Sequence, residues 1–202
     1  MLIQSFIDAL VQFLLFSLIP FIYWVIALRR KEGFLQWIGL KRPKFHNKTK
    51  VLLFSALSFA LLLISGLFLV LMVEDRSVLA NAKFSSMGIK AVFSIFCYSV
   101  IQTALSEEIL FRGFLLKFFS RVWGIPMGNF IQSILFGLLH GMILFPILNP
   151  LFIILVILFS ALAGWIMGYI NEHLGNGSIV PSWIIHSLMN ICSSLLIAFN
   201  LL

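Results

Sequence analysis

Six runs of about twenty apolar residues, at roughly 3–28, 51–73, 89–117, 126–146, 151–171 and 179–201, decide what this chain is able to fold into. A helix needs about 20 such residues to cross a hydrocarbon core of ~30 Å. Inside that core every backbone N–H and C=O has to be satisfied within the segment. The expectation is an all-α fold: a polytopic membrane bundle of six transmembrane helices. Composition agrees, because 61% of the 202 residues are hydrophobic and 10% are charged, whereas a soluble domain carries about 25% charged residues. The net charge of +7 does not read as a nucleic-acid surface, since the basic residues cluster between the runs.

The stretch from Arg29 to Lys50 holds eight of the fourteen basic residues, and a positive loop of this kind is expected on the cytoplasmic side. It reads as a solvated, topology-setting loop, with Trp37 and Phe45 near the interface. The N- and C-termini are then expected outside, as are the mixed-charge segment 74–88 and the turn from Pro146 to Pro150. Lys117, Arg121 and the polar loop 171–178 fall inside. Asp8 and Gln12 are expected near the water-facing end of the first run. No basic n-region precedes that run, so it does not resemble a cleavable signal peptide. Cys97 and Cys192 lie in apolar runs and read as small packed hydrophobes. Ser160, Gly164 and Gly168 recur every four residues and suggest a close helix-packing face. One integral membrane domain is expected over 1–202. Residues 1–75 supply two N-terminal helices and the basic loop, and 89–202 a four-helix core.

Within the third run, Ser106-Glu-Glu-Ile-Leu-Phe-Arg112 places two carboxylates and a guanidinium among apolar neighbours. A charge at bilayer depth costs at least ~2.5–3.5 kcal/mol, so such groups are paired or functional. Glu108 and Arg112 are i and i+4, the spacing of an ion pair. Glu107 is turned about 100° away and is left to face a cavity. His140 on the fourth run, and His186 with Asn190 at i and i+4 on the sixth, are the other polar groups at depth. At ~1.5 Å per residue, Glu107, His186 and His140 lie roughly 15, 10 and 21 Å from the inner surface. One carboxylate, two imidazoles and an amide at overlapping depth can activate water and stabilise an oxyanion. Each has a plainer reading. A lone intramembrane His or Asn is often an interhelical hydrogen bond, worth ~0.6 kcal/mol on average. Phe136 reads as packing that shapes the cavity wall, Arg112 as the partner of Glu108 or a holder of a substrate carboxylate, and His46 and His173 as solvated.

Glu107-Glu108-x-x-x-Arg112, Phe136-x-x-x-His140 and His186-x-x-x-Asn190, in that order on separate runs, resemble the CAAX protease and bacteriocin-processing family. These intramembrane proteases, also called the Abi family, include the type 2 CAAX prenyl proteases. The resemblance covers the chain from residue 90 on. It implies an endopeptidase that hydrolyses a peptide bond in a membrane-associated or leader-bearing peptide, in CAAX-type processing, pheromone or bacteriocin maturation, or self-immunity. Glu107 would be the general base, His140, His186 and Asn190 would hold water, carbonyl and oxyanion, and Glu108 and Arg112 would support them. The family has been described both as zinc-dependent and as glutamate-type, so Glu107, His140 and His186 stand here as metal ligands or as a metal-free set. The resemblance further implies a bacterial cell membrane and a peptide or membrane-protein substrate entering from the cytoplasmic side. Two other functional classes stand as alternatives. A non-catalytic scaffold or immunity protein binding a toxin, receptor or sensor kinase would have no need of unspent buried carboxylates. A proton-coupled carrier is disfavoured by the absence of an evident inverted repeat.

Overall fold

The computed structural model describes residues 2–73, 77 and 79–201. The charges expected outside at Glu74, Asp75 and Arg76 lie outside the described residues. Among the described residues five helical stretches are long and apolar enough to cross a bilayer, and one of them, Gly88–Leu144, runs 57 residues. At 1.5 Å per residue that is about 85 Å, nearly three hydrocarbon cores. Gly124 divides it: its φ of 80° and ψ of 163° are not helical, and such a φ is readily adopted only without a Cβ. Pro126 follows in the next first turn, where its missing N–H costs nothing. Among the described residues this leaves six long helices, one for each apolar run.

The helices are α1 (Leu2–Ala27), the short α2 (Phe34–Ile38), α3 (Lys48–Met72), α4 (88–123), α5 (125–144), α6 (Pro150–Leu174) and α7 (Val180–Ala198). Asn149 caps α6, its side chain accepting from Phe152 N–H at 3.2 Å, with Pro150 in the first turn. The Ser160–Gly164–Gly168 face packs as expected: α5 and α6 approach closely enough that a Cβ at Gly164 would lie 3.1 Å from Arg112 Nη2 and 3.2 Å from the Phe136 ring. On its other side α6 joins α3 and α7 through Leu62, Ala163, Ile166, Met167, Ile170 and Ile185.

The basic loop is more than a solvated tether. Trp37 and Ile38 are buried, and Trp37 stacks among Tyr23, Phe34 and Phe114 with ring centroids 5.7–6.3 Å apart. Gly39 C=O accepts the Ile179 N–H at 2.9 Å, and the Ser178 hydroxyl donates to Lys41 C=O at 2.6 Å. The loop therefore caps one end of the bundle, where α4 finishes and α7 begins. Four apolar residues in five among cations, Phe34-Leu-Gln-Trp-Ile38 with only Gln36 polar, were the sign of this. Phe45 is exposed, in keeping with an interfacial place.

α4 is unusual in its winding. Residues Cys97–Leu105 and Ile109–Leu116 are π-helical, on either side of Ser106–Glu108. The Thr103 and Ser106 hydroxyls donate to carbonyls five residues back, Tyr98 C=O at 3.0 Å and Ile101 C=O at 3.1 Å. Such wide turns are rare and gather at functional sites.

Candidate active site

Glu108 and Arg112 pair as their spacing predicts, Nη1 to Oε1 at 3.0 Å with both side chains fully buried. The guanidinium also lies 4.2 Å from the centre of the Phe136 ring. Arg112 is fully buried there, and its Nε and Nη2 have no hydrogen-bond partner among the described residues. Breaking a buried pair of this kind leaves an uncompensated charge. Further bonds complete the carboxylate: the Ser182 hydroxyl donates to Oε2 at 2.5 Å, and His186 Nδ1 lies 3.2 Å from Oε1. Ser182 is held in turn by Asn171, whose Nδ2 donates to its hydroxyl at 2.6 Å.

These contacts fix the imidazoles. A carboxylate only accepts, so His186 carries its proton on Nδ1 toward Glu108 and presents Nε2 toward Glu107, 3.8 Å from Oε2. A backbone carbonyl likewise only accepts. His140 Nδ1, 2.9 Å from Phe136 C=O, therefore donates, which leaves Nε2 as its acceptor. Phe136 is fully buried between the two rings, 4.4 Å from His140 and 6.1 Å from His186 by centroid.

Glu107 contrasts with its neighbour. Its side chain is 15% exposed, and its Oε2 has no hydrogen-bond partner among the described residues. Asn190, a turn beyond His186, donates to the Thr103 hydroxyl at 2.7 Å, and Thr103 stands a turn before Glu107 on α4. The zinc reading does not fit this arrangement. Among the described residues no three His, Cys, Asp or Glu side chains are gathered as a metal site, and His186 spans two carboxylates instead of converging with His140.

The site is closed at one end. Glu108, Arg112, Asn171 and Ser182 are buried and lie toward the basic loop, while Thr103, Glu107, His140 and Asn190 are half-buried and lie toward the other end of their helices.

Comparison with known proteins bears on the same stretch. A family model described as type II CAAX prenyl endopeptidase Rce1-like matches residues 88–192, just over half of the chain. The chain belongs to the Rce1-like family. No curated protein and no solved structure matches it. Rce1-like membership makes it a membrane protease of the CAAX endopeptidase class, and the matched residues contain every motif position named above. They begin where α4 begins and leave out α1–α3.

Three residues bonded to these side chains were not singled out in the sequence: Ser182, Asn171 and Thr103. Spacing carried a signal for two of them. Ser182, His186 and Asn190 form one i, i+4, i+8 stripe, and Thr103 precedes Glu107 by four. Asn171 sat in what read as a polar loop and is instead the last turn of α6.

Proposed function

We propose that this protein is a glutamate-type intramembrane endopeptidase in which Glu107 activates the attacking water. The observation that carries the reading is the division of labour between adjacent carboxylates. Glu108 is saturated by Arg112, Ser182 and His186, and Glu107 alone keeps an unpartnered oxygen in a half-open position. The 3.8 Å between Glu107 Oε2 and His186 Nε2 is too long for a good direct hydrogen bond and suits a water shared by both. Glu107 takes a proton from that water as its oxygen bonds to the scissile carbonyl carbon. The carbonyl oxygen becomes an oxyanion beside the Asn190 amide, with His140 positioning the water or the peptide. Collapse breaks the C–N bond, and Glu107 returns its proton to the leaving amine. Water, peptide and products balance with the carboxylate regenerated.

The substrate class is a membrane-associated or leader-bearing peptide or protein, as in CAAX-type, pheromone or bacteriocin processing. The closed basic-loop end supports entry from the opposite half of the bundle rather than from the cytoplasmic side. The test is purified protein, wild type beside Glu107→Gln, against a library of anchored and leader-bearing peptides that includes C-terminal CAAX sequences, with and without a chelator. Wild type is expected to cut, and to go on cutting after chelation. Glu107→Gln is expected to lose about 10²–10⁴ in rate at an unchanged melting temperature. Full activity in Glu107→Gln would overturn the assignment.

A further inference from the structure

At the basic-loop end, beyond the plug that closes the active site, α2, the last turns of α4 and the α6–α7 turn enclose a cleft of about 430 Å³. Three cations, Lys41, Lys117 and Arg121, line it against two carboxylates, Glu32 and Glu172. The lining therefore carries a net single positive charge. Glu32 is taken by Arg121 at 3.3 Å. Lys117 Nζ donates to the Trp37 and Gly177 carbonyls at 2.8 and 3.1 Å, with its third N–H to spare.

The same lining holds three buried polar atoms without a protein partner: Glu172 Oε1, Trp37 Nε1 and Ser120 Oγ. They ask for different things. A carboxylate oxygen accepts, an indole N–H donates and a hydroxyl does either. A fully ionised inorganic anion such as sulfate offers acceptors only and would leave Glu172 unmet. A group with one negative charge and hydroxyls meets all three and matches the net charge. The cleft also lies beside the packed aromatic cluster of Trp24, Trp37 and Tyr23, residue types that gather at membrane interfaces. The neighbouring loop carries eight basic residues, each attracted to an anionic leaflet.

We propose that this cleft binds the head group of a phosphatidylglycerol-type lipid. Its phosphodiester is held by Lys41, Lys117 and Arg121, and its hydroxyls serve Glu172 and Trp37. Native mass spectrometry of the delipidated full chain tests this, with titration of phosphatidylglycerol, phosphatidylmethanol (same charge, no hydroxyl) and phosphatidylcholine. Glycerol phosphate and inorganic phosphate serve as soluble competitors. One phosphatidylglycerol per chain is expected to bind ahead of both other lipids, displaced by glycerol phosphate better than by inorganic phosphate. Lys117 also anchors the loop, so the variants are Lys41→Gln and Arg121→Gln, whose fold is checked by thermal unfolding. Each is expected to weaken binding about fivefold, and the pair about 25-fold. Equal retention of phosphatidylmethanol or phosphatidylcholine, equal competition by inorganic phosphate, or unchanged binding in the double variant would overturn the proposal.

Discussion

Glu107 and Glu108 are chain neighbours with opposite surroundings, and the difference sets what a substitution at each should do. Glu108 is bonded on both oxygens and fully buried, so Glu108→Gln leaves Arg112 as an unpaired buried cation. A loss of about 3–5 kcal/mol is expected, read as a lower unfolding midpoint in detergent before any effect on cleavage. Ser182→Ala removes one hydroxyl from that carboxylate and leaves part of Asn171 unmet, for about 1–3 kcal/mol. It should also cut activity, because the carboxylate that faces His186 Nδ1 is then held by Arg112 alone. Spacing made the Glu108–Arg112 pair and the His186–Asn190 face legible in the sequence. The hydroxyls were not, since a serine in an apolar helix has many uses and only the fold shows which carboxylate it meets.

Among the elements, the α5–α6 contact depends most on small side chains. A Cβ at Gly137 would lie 2.5 Å from Ile157 C=O and 2.9 Å from Ala161 Cβ. The first of these is backbone and cannot swing aside, so Gly137→Ala has to move one helix against the other. A cost of about 1–3 kcal/mol is expected, with reduced cleavage because Phe136 and His140 ride on α5. Gly33→Ala meets nothing within 4 Å and should leave the unfolding midpoint unchanged. The existence and order of the helices could be read from the apolar runs. The ends of α4 and α5 could not, because one helical stretch passes through Lys117 and turns only at Gly124. The π-helical winding beside Glu107 was also invisible, since hydrophobic periodicity over a few residues does not separate it from α-helix.

For the molecule as a whole, the closed and open ends of the site make a claim about sidedness. In vesicles of known orientation carrying Cys192→Ser, which leaves the buried Cys97 alone, Thr103→Cys is expected to react with an impermeant maleimide added to the face opposite the basic loop. Lys44→Cys, on the exposed loop, should react from the other face. Labelling of both from one side would return the entrance to the cytoplasm. The plug between the two polar zones has one more consequence. A hydrolase that admits water to the middle of a bilayer risks becoming a proton leak. With Glu108, Arg112, Ser182 and Asn171 buried and locked together, the expectation is that water reaches the half-open carboxylate without running on to the basic end, so that the bilayer stays charged while the site stays wet.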